Sequence, residues 1–210
     1  MSGDAGYFKD LFPKTQIPSI LSALLQAGST IKKKTENDHE DWITRRIYAK
    51  VITAYPFRDG PLDIRPQPEI LSDAPDADTP GGKIDLLVSC GRGYHVYFAI
   101  EAKRLRFYNP GGKIRAGNAP YVNDGMMRFV SGQYAPFMET GAMMGYVFDG
   151  ETGKARSGVA NYIRKKEKEL RLRKPKGLMK SKILADRRVD ETLHDLGERQ
   201  FTIYHLFVAV

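Results

Sequence analysis

The sequence predicts a single α/β domain in which a mixed β-sheet is flanked by helices. Its 210 residues are 41% hydrophobic and 28% charged, which is the size and composition of one globular domain. Segments with helical spacing of apolar residues alternate along the chain with segments of strand-like alternation. Two of the strand-like segments, residues 84–90 and 94–103, are separated by only three residues, a spacing that favours an antiparallel hairpin.

Two helices are predicted near the N-terminus. In the first helix, Pro18 suits the first turn and Gly28 suits the end. The second helix extends over about residues 38–54, and Pro56 prevents its continuation. Apolar residues recur at helical spacing in both helices: Ile17, Ile20, Leu21, Leu24 and Leu25 in the first, and Ile43, Ile47 and Val51 in the second.

The rest of the chain continues the alternation of strands and helices. The further elements are a short strand at about 62–71, an exposed loop at 72–82, a third helix at about 123–139, a strand at 142–148, a basic helix at about 158–172 and a strand at 201–210. Asn123 is the expected N-cap of the third helix, and Gly141 its C-terminal stop. Because a free apolar edge would aggregate, the last strand is expected inside the sheet.

The composition excludes several classes of protein. The single cysteine, Cys90, excludes a disulfide framework and any zinc site with several cysteines. The four histidines show no ligand spacing such as HExxH. No stretch approaches the roughly 20 apolar residues of a membrane span, and the N-terminal residues contain no apolar signal-peptide region. We therefore expect a soluble, cytoplasmic protein without a membrane partner.

The net charge of +8 is concentrated in one segment. Residues 164–182 contain ten basic and two acidic side chains, so the rest of the chain is neutral. Concentrated positive charge favours a polyanion such as DNA, because neutralised phosphates release their counterions. A solvated helix face followed by a loop, or a phospholipid-binding surface, would have the same composition. The side chains predicted to contact nucleic acid here are Lys165, Lys166, Lys168, Arg171, Arg173, Lys174 and Lys176.

Two acidic residues and a lysine are predicted to meet on one face of the hairpin. Because side chains alternate along a strand, Glu101 and Lys103 share the face opposite the apolar one. In the paired strand, Asp85 lies near Glu101. An Asp and a Glu on adjacent strands suit Mg²⁺, and the lysine could hold or help to deprotonate an attacking water. A cross-strand salt bridge on a solvated face is the alternative interpretation.

Glu40 adds a third carboxylate. It lies three residues before Ile43 and seven before Ile47, and therefore on the apolar stripe of the second helix. An inward carboxylate is costly unless it is paired or binds a metal. The alternative is an acid in the first helical turn that interacts favourably with the helix dipole.

Together these residues resemble the D…(D/E)-x-K signature of the PD-(D/E)XK nuclease superfamily. Asp85 is followed, after fifteen residues, by Glu101-Ala102-Lys103 at the end of the apolar strand YHVYFAIEAK. Glu40 resembles the acidic residue that such nucleases often carry on the preceding helix. The resemblance covers about residues 38–149. It implies a restriction-endonuclease-like fold with a three-layer core, a divalent metal, and hydrolysis of a phosphodiester that leaves a 5′-phosphate.

The resemblance also implies roles for individual residues. Asp85 and Glu101 would ligate Mg²⁺, for which Mn²⁺ can substitute, with the Ala102 carbonyl as a further ligand; Lys103 would orient or activate the attacking water, and Glu40 would help to hold a second metal or a water-bridged ligand. The helix after the core strands would contribute Arg128 and Gln133 to substrate contact. A surface salt bridge for Arg128 and a local hydrogen bond for Gln133 are the alternatives. Ile84 stands where the family has proline, a departure that is common there.

These features predict a metal-dependent DNA endonuclease, and the resemblance implies a role in restriction or anti-phage defence. Residues 38–149 would form the catalytic core, with 1–35 as a helical extension and 150–210 completing the fold. Cutting both strands would require a homodimer or successive nicks, and a partner subunit could supply recognition. A non-catalytic nucleic-acid-binding protein, a nuclease that acts on RNA, and a nuclease of repair, recombination or transposition are the open alternatives.

Overall fold

Two helices come first in the part of the chain that the structure describes. The computed structural model describes residues 12–70, 81–91, 96–185 and 188–210. After a 3₁₀ turn at Lys14–Gln16, helix α1 extends over Ile17–Thr30 and helix α2 over Glu40–Val51. The apolar stripe predicted for each helix is buried. Among the described residues, no helix is both long enough and apolar enough to cross a membrane.

The remaining elements form a mixed sheet with interspersed helices. In chain order they are β1 (Leu62–Pro66), β2 (Glu69–Ile70), β3 (Gly82–Lys83), β4 (Leu86–Cys90), β5 (Tyr97–Leu105), β6 (Phe107–Tyr108), β7 (Ile114–Arg115), a π-helical segment (Pro120–Met126) continued by α3 (Met127–Val130), β8 (Thr140–Val147), α4 (Thr152–Lys165), β9 (Met179–Lys180), β10 (Val189–Asp195) and β11 (Gln200–Ala209). Seven strands form one sheet in the order β1-β4-β5-β8-β11-β10-β9. The central strands β5, β8 and β11 are parallel, whereas β4 and β10 beside them are antiparallel. The predicted α/β class with a mixed sheet is confirmed, including the C-terminal strand inside it.

Helices cover both faces of this sheet. Alternate residues of β5 enter two different apolar clusters: Phe98 and Ile100 pack with α1 and α2, whereas Ala99 and Leu105 pack with the π-helical segment and α4. Since side chains alternate along a strand, the two clusters lie on opposite faces. Burial on both faces explains why β8 and the first half of β5 are almost continuously apolar.

Two glycines that were predicted to end helices allow close packing instead. Gly28 lies within α1, where an added Cβ would come within 2.8 Å of Val208 Cγ1. Gly141 lies in β8, where an added Cβ would come within 2.6 Å of the Phe129 ring. Each glycine lets a helix approach the sheet closely, a tertiary requirement that has no local sequence signal.

The predicted bounds of the third helix and of the basic helix are wrong, and one strand was not predicted. The π-helical segment begins at Pro120 and α3 ends at Val130, so Asn123 lies inside a helix rather than at its N-cap. Pro120 already suits the first helical position, which explains the earlier start. Helix α4 begins at Thr152 and ends at Lys165, and the following turn buries Leu170 completely. Strand β10 was not predicted, because its charged sequence VDETLHD shows no apolar alternation over its full length.

The predicted hairpin is confirmed, and Asp85 lies at a bend before its first strand. Leu86 of β4 pairs with Ile100 of β5 in antiparallel register. Ile84 and Leu86 pack into apolar clusters on opposite faces of the sheet, because the bend at Asp85 interrupts the alternation of the strand. The predicted loop at 72–82 and the turn between the strands fall largely outside the described residues.

A buried chain of hydrogen bonds links the sheet to the turn after α4. Successive polar atoms of Tyr121, His205, Thr192 and His194 lie 3.0, 2.9 and 2.8 Å apart, and His194 Nδ1 lies 2.7 Å from the Leu170 carbonyl. A carbonyl only accepts, so Nδ1 of the neutral His194 ring holds the proton and Nε2 accepts from the Thr192 hydroxyl. That hydroxyl in turn accepts from His205 Nε2. The network therefore anchors the Leu170 backbone on β10 and β11.

The stability cost of His194→Gln is expected to shrink as the pH falls. Burial lowers the pKa of His194 from 6.5 to about 4, so below pH 6.5 the unfolded chain binds a proton that the folded chain does not. The wild type loses this stability on acidification, whereas the glutamine variant has no such group to titrate. The difference in free energy of unfolding should fall by about 2 kcal/mol between pH 7 and pH 5. Urea unfolding of both proteins at the two pH values measures it, and a difference independent of pH would contradict a buried neutral histidine.

Candidate active site

Four of the predicted residues converge at one end of the sheet. Glu40 is the first residue of α2, Asp85 lies at the bend before β4, and Glu101 and Lys103 lie on β5. Lys103 is paired with Gly145 of β8, toward the C-terminal ends of the parallel strands. The buried stripe of α2 holds the start of this helix against the sheet, which brings a carboxylate from one layer to side chains of another.

The Lys103 ammonium contacts two of the carboxylates. Its Nζ donates to Glu101 Oε1 at 2.6 Å, to the Ala102 carbonyl at 2.9 Å and to Glu40 Oε1 at 3.3 Å. Burial pushes the pKa of Lys103 down, but the negative charges of Glu101 and Glu40 outweigh burial and hold the pKa above its ordinary value. At neutral pH Lys103 is therefore charged, and it can donate hydrogen bonds but cannot accept a proton.

Backbone N–H groups of β5 hold the Asp85 and Glu40 carboxylates. The Ala102 N–H donates to Asp85 Oδ2, and the Arg104 N–H donates to Glu40 Oε2, both at 2.7 Å. The pairing between β4 and β5 ends at Ile100, so these two donors on the same side of β5 have no strand beside them. The carboxylates occupy the place of the missing strand, because a buried N–H needs an acceptor.

Glu101 is the most enclosed carboxylate of the cluster. The residue is 1% exposed, and its Oε1 accepts from Lys103 and, at 3.0 Å, from Arg128 Nη1. Within the described residues, Oε2 of Glu101 has no hydrogen-bond partner. Tyr134 holds Arg128 in place, since its hydroxyl accepts from this guanidinium and donates to the Lys83 carbonyl.

Burial disfavours the ionised forms of all three acids. It raises the pKa of Glu101 to about 8, with a further contribution from the charge of Asp85, and it raises the pKa of Asp85 and Glu40 as well. Asp85 and Glu101 are close enough to share a hydrogen bond when one of them holds a proton. Three carboxylates here face two cations, Lys103 and Arg128. The Asp85–Glu101 pair can therefore hold either a proton or an added cation.

These groups fit a hard divalent cation. Mg²⁺ prefers carboxylate oxygens and keeps several waters, and the partnerless Oε2 of Glu101 is the atom that a cation would satisfy. Both oxygens of Glu40 already accept hydrogen bonds from β5 residues, so Asp85 and Glu101 are the better ligand pair. Across the described ranges, no three His, Cys, Asp or Glu residues are grouped so as to hold a metal by themselves. Water and substrate would complete the coordination.

Arg128 and Gln133 lie close to the cluster but make local contacts. Arg128 pairs with Glu101 and also lies over the Tyr134 ring, with its guanidinium carbon 5.2 Å from the ring centre. Gln133 is exposed, and its Nε2 donates to the Gly81 carbonyl at 2.6 Å. Both side chains therefore help to fix the structure around the cluster. Their predicted contact with substrate stays a prediction.

The chain after α4, residues 166–176, forms a basic turn that lies far from the cluster of Glu40, Asp85 and Glu101. Strand β11 relates the two places. Leu172 of the turn bridges to His194 of β10, and His194 pairs with Phe201 of β11. Lys103 pairs with Gly145 of β8, which pairs with Phe207 of β11. Six residues along the strand and three strand spacings across the sheet separate Lys103 from His194 by roughly 25 Å, and Leu172 lies on the far side of His194. Most of the predicted basic side chains are exposed there: Lys165, Lys168, Arg171, Arg173, Lys174 and Lys176. Lys166 pairs with Glu169, and Lys176 with Glu167.

Sequence reasoning missed three residues beside the cluster. Tyr134 supports Arg128, and Tyr146 shares a hydrogen bond of 2.8 Å with Thr44 of α2. Neither tyrosine has a spacing that would have singled it out. Trp42, 50% exposed, lies two residues after Glu40, and its place on the polar side of α2 was the signal that could have identified it.

Comparison with known proteins adds no relative. No protein-family model matches this chain, and no curated protein or solved structure matches it.

Proposed function

We propose that this protein is a metal-dependent nuclease that hydrolyses phosphodiester bonds of DNA. The observation that carries the proposal is Glu101, a buried carboxylate with one oxygen lacking a partner in the described structure, beside Asp85 and 2.6 Å from the Lys103 ammonium. Burying such a group is costly, and a structural salt bridge would satisfy both of its oxygens. The resemblance of Asp85, Glu101 and Lys103 to the PD-(D/E)XK signature supports the same reaction.

In this proposal Asp85 and Glu101 hold one Mg²⁺ or Mn²⁺. When bound, such an ion lowers the pKa of a coordinated water and offsets negative charge on the phosphate. Arg128 and Tyr134 keep the Glu101 carboxylate oriented. The N–H groups of Ala102 and Arg104 keep Asp85 and Glu40 in place.

Lys103 supplies a fixed positive charge to the reaction. Because its pKa is raised by the surrounding carboxylates, it orients the attacking water and stabilises charge on the phosphate rather than acting as a base. Glu40 accepts a hydrogen bond from the Lys103 ammonium and so helps to position it. Water adds to phosphorus, the bond from phosphorus to the 3′ oxygen breaks, and the proton lost by the water is balanced by one taken up by the leaving 3′ oxygen. The products are a 5′-phosphate and a 3′-hydroxyl.

The exposed basic turn favours DNA of some length as the substrate. Phosphates contacted by Arg171 or Arg173 would lie roughly 25 Å from the cluster, which corresponds to about seven base pairs of a duplex. Short oligonucleotides should therefore bind more weakly and with a smaller salt dependence than long ones. The predicted role in restriction or anti-phage defence and the predicted homodimer or partner subunit are part of the same hypothesis.

Mg²⁺ is expected to bind the wild type and to support nicking of supercoiled plasmid. Asp85→Asn removes one of two charged ligands, and the affinity for metal should fall by at least about 10-fold. Calorimetric titration with Mg²⁺ and Mn²⁺ measures the binding, and gel electrophoresis of plasmid with metal or chelator measures the cleavage. The same assay with a single-stranded RNA separates DNA from RNA as the substrate.

Asp63→Asn is the matched control, because Asp63 is an exposed aspartate on the edge strand β1. It should leave both metal binding and plasmid nicking unchanged. If the wild type binds DNA in a salt-sensitive way but neither binds metal nor nicks plasmid, the protein is a non-catalytic binding protein and the nuclease proposal fails.

A further inference from the structure

An exposed tryptophan lies beside the carboxylate cluster. Trp42 is the only tryptophan of the chain, and it is 50% exposed in the first turn of α2. Packing of this helix uses Ile43 and Ile47, which are fully buried, so the fold does not need Trp42. The His39 ring meets it edge-on, with the ring centres 6.5 Å apart. A large aromatic face is therefore presented to solvent two residues from Glu40.

Trp42 also lines a cavity that shares a wall with the cluster. The cavity has a volume of about 330 Å³. Its lining residues are His39, Glu40, Asp41, Trp42, Arg45 and Arg104. This volume lies within the range of roughly 300–1,000 Å³ that is usual for small-ligand sites. Since Glu40 contacts Lys103, a molecule in the cavity would lie next to the groups that are proposed to act on phosphate.

Two arginines give this cavity positive charge. Arg45 is exposed one helical turn beyond Trp42, and its Nη2 contacts Gln67 Oε1 at 3.4 Å. The Gln67 N–H donates to the Asp85 carbonyl at 2.9 Å, so Arg45 also flanks the cluster on its Asp85 side. Arg104 is held by a hydrogen bond to the Asp38 carbonyl.

The two arginines of the cavity suit a phosphate group. The lining carries the guanidinium groups of Arg45 and Arg104 and the carboxylates of Glu40 and Asp41, and both oxygens of Glu40 already accept hydrogen bonds from residues of β5. Arginine is suited to phosphate because its planar fork of N–H donors matches the phosphate oxygens.

We propose that this cavity binds an unpaired nucleotide of the DNA substrate, with its base stacked on Trp42 and its phosphate contacted by Arg45 and Arg104. The proposal rests on the nuclease function proposed above and names its substrate class. A base inside a duplex has both faces covered by its neighbours, so only an unpaired base can stack on an aromatic side chain. The preferred substrate is DNA with a single-stranded end, flap or gap rather than uninterrupted duplex.

Intrinsic tryptophan fluorescence tests this proposal directly, because Trp42 is the only tryptophan of the chain. The full-length protein is titrated, with chelator present to prevent cleavage, with a 12-nucleotide oligothymidine and separately with a relaxed, covalently closed circular duplex. We expect quenching by the single strand and little change with the circular duplex. Trp42→Ala should weaken single-strand binding, measured by the anisotropy of a labelled oligonucleotide, by about 5- to 150-fold. Trp42→Phe should weaken it less, since a smaller aromatic face remains.

Tyr55→Ala is the matched control, because Tyr55 is 75% exposed beyond the other end of α2. It should leave binding unchanged. Equal quenching by the circular duplex, or binding of the single strand without any change in emission, would overturn the proposal. A shift of the emission with protein concentration in the absence of DNA would also overturn it, because a second copy would then cover Trp42. If the wild type cleaves DNA with metal but its tryptophan emission does not change with the single strand, only this inference fails. If the wild type neither binds metal nor cleaves DNA, the proposed nuclease function fails as well.

Discussion

Lys103→Ala is expected to reduce metal-dependent nicking of supercoiled plasmid by about 10³-fold. The ammonium is the only cation that contacts both Glu40 and Glu101 within the described residues, and it is the group placed to stabilise charge on the phosphate. Its removal does not take away Asp85 or Glu101, so metal should still bind. The rate of nicking at saturating Mg²⁺, measured together with calorimetric metal binding, separates these two effects.

The lysine variant needs two controls. Lys103→Met keeps most of the side-chain volume and should be as inactive as the alanine variant, because it also lacks the charge. Lys50→Ala removes an exposed lysine from the last turn of α2 and should nick plasmid at the wild-type rate. Circular dichroism confirms that each variant is folded. Full activity of folded Lys103→Met would show that this lysine has no part in the reaction.

Glu101→Gln is expected to inactivate the enzyme and yet to stabilise the metal-free protein at alkaline pH. Burial and the charge of Asp85 raise the pKa of Glu101 to about 8, compared with an ordinary value of 4.5. The carboxyl is protonated in both states below pH 4.5, and as the pH rises toward 8 only the unfolded state releases its proton. Stability of the wild type therefore falls with rising pH. Glutamine does not titrate, so the variant should exceed the wild type by about 4 kcal/mol at pH 8 and by about 1 kcal/mol at pH 5.

Metal should reduce this difference in stability at pH 8 and reverse it at pH 5. At a concentration 100-fold above its dissociation constant, Mg²⁺ should stabilise the wild type by about 2.7 kcal/mol and the glutamine variant by much less. Urea unfolding at both pH values, with chelator or with Mg²⁺, measures the four free energies. Glu69→Gln alters an exposed glutamate on β2 and should change none of them by more than about 0.5 kcal/mol. A metal-free Glu101→Gln protein that is less stable than the wild type at pH 8 would mean that Glu101 is a structural ion-pair partner.

The main strands and the pairing of the acidic residues could be predicted because they depend on local pattern. Alternation along β5 was enough to put Glu101 and Lys103 on one face, and the short connection to β4 was enough to bring Asp85 near them. The position of Glu40 followed from its spacing to Ile43 and Ile47. In each case a regular repeat decides the direction of a side chain.

Other features depend on contacts between distant segments. Gly28 and Gly141 were read as helix ends, whereas each accommodates a side chain from a neighbouring element, Val208 and Phe129 respectively. The charged strand β10 forms because its Asp190 is neutralised by Arg156 of α4 and Lys180 of β9. No pattern within a single segment contains that information.

The sequence by itself determined the α/β class, the hairpin, the three carboxylates with their lysine and the excess of positive charge in one segment. Only the tertiary structure decided that the pairing of β4 with β5 ends at Ile100 of β5. Beyond that point the carboxylates of Asp85 and Glu40 accept hydrogen bonds from the N–H groups of β5. It also decided that one oxygen of Glu101 is buried without a partner among the described residues, and that the basic turn lies roughly 25 Å from it. The physical reason is that the spacing of residues along a chain sets the face on which a side chain lies. Desolvation and hydrogen-bond satisfaction, in contrast, depend on what the other segments place around it.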